Sequence, residues 1–121
     1  MEGSLSIDNL LEILEAEIIL DNGWFRDRIS HVSASDLMSD ILSYSKRKSL
    51  LLTGLTNPQT IRTAEMVEIA AICFVHGKVP HKETIELART NQMPLLKTEL
   101  AMFGACGRLY ESGLQDCNSV K

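Results

Sequence analysis

The sequence has 121 residues, 45% hydrophobic and 23% charged, and its 12 basic and 16 acidic side chains give a net charge of −4. That composition fits one ordinary globular domain with a single core, and apolar residues too plentiful for a disordered chain. An acidic balance without a basic stripe excludes a typical nucleic-acid binder, and no window approaches the ~20 consecutive apolar residues of a membrane span.

In chain order, "SIDNLLEILEA" reads as a helix, with Ser6 as N-cap and Ile7, Leu10, Leu11 and Leu14 on one buried face. The apolar run 18–20 meets "DNG" and reads as a short strand. Residues 29–34 read as a second strand, with Val32 and Ala34 on one face and Ile29 on the other. Ser35 is then the N-cap of a helix, "DLMSDILSYS". "SLLLTG" and "AAICFVHG" are continuous apolar runs ending in turn signals, as strands covered on both faces do. "NPQTIRTAEMVEIA" between them is a helix with Asn57 at the N-cap and Pro58 at the first helical position, where its missing N–H costs nothing. "HKETIELARTNQ" is a fourth helix and "PLLKT" a short strand. "ELAMFGACGRLYES" is the last helix, with Thr98 as N-cap and Gly113 just past its end. Residues 1–113 read as one α/β domain, and residues 114–121, which lack periodicity, as a flexible tail.

Alternating strands and helices predict parallel pairing with crossover helices: a three-layer α/β/α structure around a small, mainly parallel sheet. The opening "MEGSLSIDNL" has neither a basic stretch nor a long apolar one, so no secretory signal is expected. Cys73, Cys106 and Cys117 show no metal-ligand or disulfide spacing, which fits reduced thiols and a cytoplasmic protein. The one basic cluster, "KRK" at 46–48, follows a helix end, where cations suit the dipole.

In an open parallel sheet, ligands bind outside the carboxyl ends of the strands. Four junctions qualify: "SASD", "TGLTN", "VHGKVP" and "KTE". In "TGLTN", Gly54 lets a ligand approach the backbone and the helix after Asn57 offers N–H donors to an anion, or Asn57 and Pro58 simply start a helix. His76, at a strand end before Gly77, is either a titrating ligand contact or a histidine bonded to nearby backbone. Asp36 either stabilises a helix start or binds a ribose hydroxyl or a metal, with Asp40 one turn on along the same helix face. The candidate ligand-binding residues are Ser35, Asp36, Thr53, Gly54, Thr56, Asn57, His76 and Gly77. No GxxxxGK[ST] loop, GxGxxG fingerprint, GxSxG elbow or His/Cys/Asp/Glu metal spacing occurs, so no catalytic or metal-binding residue and no cofactor are expected. Cys73 lies mid-run, as inert core thiols do, and the small residues around Cys106 let the last helix approach a neighbour closely, whether the sheet or a second subunit.

"ASDLMSDIL", "LLLTGLTNPQTIRTA", "AAICFVHGKVPHKETIELA" and "MPLLKTELAMFGACGRLYESGL", in this order and spacing, together resemble the DRTGG domain family over residues 6–114. That family is named for a Gly-Asp-Arg type turn after one strand and a Thr-Gly-Gly after the next. Here "TGLTNP" stands at the first place, keeping Gly54, and "VHGKVP" at the second, keeping Gly77 and Pro80. These departures resemble the stand-alone branch, often labelled after the HPr serine kinase. The resemblance implies the fold of the HPr kinase N-terminal domain and the related Mur ligase domain, without the P-loop that HPr kinase carries in a separate domain. DRTGG domains accompany CBS domains, pyrophosphatases and phosphotransacetylases as regulatory or dimerising modules. Residues and resemblance together lead us to expect a non-catalytic homodimer that senses a nucleotide or other small anion and modulates a partner enzyme. The alternative is an accessory subunit or dimerisation domain of a kinase or redox enzyme with no ligand of its own.

Overall fold

Local cap chemistry decides where two of the helices begin. The computed structural model describes residues 3–25 and 28–117. The elements are α1 (Ile7–Leu14), β1 (Glu17–Leu20), β2 (His31–Ala34), α2 (Met38–Tyr44), β3 (Leu50–Thr53), α3 (Pro58–Met66), β4 (Ala71–Phe74), α4 (Lys82–Thr90), β5 (Leu95–Lys97), α5 (Met102–Glu111) and β6 (Gln115–Asp116). Ser6 starts α1 in a reciprocal capping box with Asn9, and Asn57 starts α3 by accepting the Thr60 N–H. Gly113, at φ +99°, ends α5 in the left-handed conformation that glycine adopts without a Cβ penalty.

The six strands form one sheet in the order β1-β5-β4-β3-β2-β6. Every neighbouring pair is parallel except β1 with β5. Side chains alternate across the sheet, so β3 sends Leu50 and Leu52 to one face and Leu51 to the other. On the first face they meet Leu10 and Leu14 of α1 and Ala105 and Leu109 of α5. On the second, Leu51, Ile72 and Phe74 meet Ile41 of α2, Ile61 and Ala64 of α3, and Ala88 of α4. The architecture is therefore three-layered, as the sequence implies, with two helices on one face and three on the other.

Several boundaries differ from the sequence reading. Residues 114–117 do not trail: Leu114 and Cys117 are buried, and Gln115–Asp116 pair in parallel with His31 and Val32. The free edge of β2 offers those backbone groups a partner that composition does not reveal; residues 118–121, the rest of the expected tail, lie outside the described residues. Ile29 falls ahead of β2, in an antiparallel bridge with Leu5, and joins the same core cluster that Val32 packs against. Helix α5 begins at Ala101 with no side-chain cap, because Thr98 is engaged elsewhere.

The α1 C-terminus shows how. Its last turn has no basic residue, and two of its end carbonyls are satisfied from distant elements. The buried Thr98 hydroxyl donates to the Leu14 carbonyl at 2.6 Å, and Arg108 of α5 donates to the Ile13 carbonyl at 3.1 Å. Arg108 also pairs with Glu15 at 2.9 Å. Among the described residues, no helix is long and apolar enough to cross a membrane.

Candidate functional site at the carboxyl edge of the sheet

The connections leaving β2, β3 and β4 run through α2, α3 and α4 on one face of the sheet, and the connection leaving β5 runs through α5 on the other. The reversal falls between neighbouring strands β4 and β5. Chains leaving adjacent strand ends toward opposite faces open a crevice, the usual ligand position of an open α/β sheet. The four junctions singled out in the sequence all lie on this edge, since β2 to β5 are parallel.

Asp36 does not enter α2. The Ser35 Oγ accepts the Leu37 N–H at 3.0 Å, and the helix starts at Met38. The expected Asp36–Asp40 pair on one helix face is therefore not formed. The Asp36 carboxylate instead accepts the Gly54 N–H at 2.6 Å and the Thr53 hydroxyl at 3.1 Å, while Thr53 Oγ1 accepts the Leu55 N–H at 3.1 Å. Gly54 has room for little else: a Cβ there would stand 3.3 Å from Lys78 Nζ and 3.4 Å from Asp36 Oδ1. An ammonium and a carboxylate from two other junctions thus flank the same glycine.

Thr56 and Asn57 hold the β3–α3 loop. The Thr56 carbonyl accepts the Thr84 hydroxyl at 2.7 Å and the His81 N–H at 3.3 Å, tying this loop to the start of α4. Asn57 Oδ1 accepts the Thr60 N–H at 3.3 Å. Both residues lie on the right edge, but these contacts serve the loop and the helix start.

His76 and Gly77 form the turn at the crevice. Both have left-handed backbones, at φ +61° and +64°, and the Lys78 N–H closes the turn on the Val75 carbonyl at 3.2 Å. The His76 and Gly77 N–H groups donate across the crevice to the Leu100 and Thr98 carbonyls, each at 2.8 Å. The His76 side chain is exposed. The Glu99 carboxylate lies against Gly77, in the space a Cβ would take, and pairs with Lys97 Nζ at 3.6 Å. The Lys97 side chain is only 19% exposed, whereas Glu99 is 80% exposed, so the lysine is the fixed member of that pair.

Lys78, Lys97 and Glu99 lie in these junctions but belong to no sequence motif that assigns them a role. Their signal is position: Lys78 follows Gly77, and Lys97 and Glu99 belong to "KTE". Chemically, the edge offers two ammonium groups and an imidazole beside two glycines, with two carboxylates between them. The backbone N–H groups of Gly54, Thr60, His76 and Gly77 are already bonded, so side chains would carry the recognition of an anion. Among the described residues, no group of three or more His, Cys, Asp or Glu stands where it could hold a metal ion. The Cys73 thiol is pushed up to about 12 by burial and stays protonated near neutral pH, which leaves it without nucleophilic character. Two grooves, of about 460 and 620 Å³, lie elsewhere, beside α5 and between α3 and α4. Neither includes the eight candidate residues, and the convergence of polar groups at the topological reversal makes the strand edge the better candidate.

No protein-family model and no curated protein matches this chain. Among solved structures, the chain is similar to the CBS and DRTGG domains of the regulatory region of a Clostridium perfringens pyrophosphatase, complexed with its activator diadenosine tetraphosphate. The match has a TM-score of 0.73 at 23% sequence identity. It covers 88% of this chain and 46% of that one, so the chain spans less than half of that neighbour. The likeness is one of fold, and it supports the layered α/β architecture read from the sequence.

Proposed function

We propose that this chain is a non-catalytic regulatory module that senses a nucleotide or related phosphate-bearing anion at the carboxyl edge of its sheet. In this reading it acts in the cytoplasm as a homodimer and modulates a partner enzyme. The observation that carries the proposal is the placement of Lys78 against Gly54 and of the Lys97–Glu99 pair against Gly77, with His76 exposed in the same turn, where the direction of chain crossing reverses. The similar fold of a region that binds a nucleotide activator supports it, and so does the absence from the sequence of a P-loop or a nucleophile–base pair. The likeness to the DRTGG family, and through it to the N-terminal domain of HPr kinase, belongs to the same proposal.

One observation favours the second reading, an accessory subunit without a ligand. The backbone N–H groups of Gly54, His76 and Gly77, beside the crevice, are bonded internally. A thermal-shift screen with AMP, ATP, diadenosine tetraphosphate, inorganic phosphate and sulfate separates the two readings. A ligand bound by the folded state alone, at 100 times its Kd, adds about 2.7 kcal/mol and raises Tm accordingly. We expect a nucleotide to do so. Gly54→Ala is expected to keep stability within about 1 kcal/mol, because the displaced Lys78 ammonium is free to move, yet to abolish the shift. No shift with any ligand at millimolar concentration would establish the accessory reading.

A further inference from the structure

At Gly77 the protein holds an anion of its own. A Cβ on this glycine would stand 3.0 Å from Glu99 Oε2, 2.8 Å from its Cδ and closer still to Oε1, so the carboxylate fills the place of a side chain. The turn at φ +64° favours glycine, and glycine leaves that place open. Lys97 Nζ lies 3.6 Å from Glu99 Oε2, on a side chain only 19% exposed. Charge-assisted hydrogen bonds run about 2.7–2.9 Å, so the pair is loose and the ammonium keeps donors for a closer acceptor.

The backbone on either side of Glu99 is pinned. The Thr98 and Leu100 carbonyls accept the Gly77 and His76 N–H groups, each at 2.8 Å, and the Leu100 N–H donates to Thr98 Oγ1 at 3.2 Å. The Glu99 side chain, 80% exposed, can therefore rotate away while the strand end keeps its shape.

We propose that Glu99 is a built-in competitor for the ligand. Its carboxylate occupies the position that a phosphate group takes against Gly77 and Lys97, and binding exchanges one anion for the other by a side-chain rotation. The exchange favours a phosphate monoester, which brings a charge of about −1.5 to −2 and three acceptor oxygens against the single charge and two oxygens of a carboxylate. It is also cheap, because exposed ion pairs contribute little. Tethered two residues from Lys97, Glu99 is a rival that a free monocarboxylate of equal charge does not displace, so it makes the subsite selective for phosphate. The inference rests on the proposed anion site and adds to it the group that the anion must displace.

Isothermal titration of ATP into the unmodified chain, Glu99→Gln and Glu99→Asp tests it. Glu99→Gln is expected to bind ATP about two- to fivefold more tightly, the range set by an exposed ion pair. Glu99→Asp keeps the charge but, one methylene shorter, withdraws it from Gly77, and is expected to gain affinity as well. Both substitutions fall on an exposed side chain and are expected to leave far-UV circular dichroism unchanged. Unchanged or weaker binding in Glu99→Gln, with ATP bound by the unmodified chain, overturns this proposal and leaves the anion site standing. A gain in Glu99→Gln with none in Glu99→Asp assigns the effect to long-range charge and also overturns it. No binding to any of the three proteins overturns the competitor and the anion site together.

Discussion

Gly77→Val is expected to destabilise the protein by about 3 kcal/mol or more, lowering Tm by roughly 10 °C. Two independent effects add. Gly77 sits at φ +64°, where a β-branched residue is strained, and any Cβ there enters the space of the Glu99 carboxylate. The strain is unavoidable because the Gly77 N–H is fixed to the Thr98 carbonyl at 2.8 Å and the turn is closed at Lys78. The steric part is removable, since Glu99 is an exposed, flexible side chain. Gly77→Ala should therefore recover about 1 kcal/mol when combined with Glu99→Ala, a coupling that chemical denaturation of the four-variant cycle measures. Gly77→Asn, which tolerates the left-handed region, should cost less than valine. Wild-type stability in Gly77→Val would mean that the turn at the crevice is not built this way.

Thr98→Val is expected to cost about 2–3 kcal/mol despite conserving side-chain volume. The Thr98 hydroxyl donates to the Leu14 carbonyl at 2.6 Å and accepts the Leu100 N–H at 3.2 Å, and its residue is 1% exposed. Valine leaves both backbone groups without that partner, each at a desolvation cost of about 1–3 kcal/mol. One of those groups is an end carbonyl of α1, so the loss should also show as faster hydrogen exchange in the last turn of that helix. Thr98→Ser keeps the hydroxyl and should fall less than halfway to the valine variant in urea denaturation. Equal losses for serine and valine would mean that the methyl group contributes as much as the hydroxyl, and wild-type stability in Thr98→Val would contradict the role given to the hydroxyl.

Much of the fold is legible in the sequence because it follows from local patterns. β3 and β4 are buried at every position, and "LLLT" and "AICF" are unbroken apolar runs for that reason. Asn57-Pro58 starts α3 because cap and ring geometry act within one turn. What escapes such reading depends on partners far along the chain. Thr98 has the local chemistry of an N-cap, but a carbonyl 84 residues away takes its hydroxyl, and α5 starts three residues later than Thr98 would set. Asp36 looks like a first-turn acid, yet the parallel register of Ala34 with Leu52 brings it to the Gly54 N–H. β6 carries only polar residues, and the open edge of β2 alone makes it a strand.

The same distinction applies to the site. Gly54 and Gly77 are recognisable because each marks a turn after an apolar run. That Lys78 leans on Gly54 while Glu99 covers Gly77 requires the strand order, which places β4 between β3 and β5. Of the residues that stand where the DRTGG turn would be, Thr56 makes its contacts with α4, and Asn57 with the first turn of α3. The positive groups nearest the crevice come from its other side, on the junctions after β4 and β5.

The central claim, an anionic ligand held by side chains at this edge, is tested most directly by isothermal titration of ATP into the unmodified chain and into a Lys78→Ala/Lys97→Ala variant. Saturable binding to the first, weakened by about tenfold or more in the second with the fold intact, is the expected result, since hydrogen bonds to charged groups contribute about 1.5–3 kcal/mol and the exposure of Lys78 lowers its share. Equal binding to both proteins, or none to either at millimolar ATP, would contradict it.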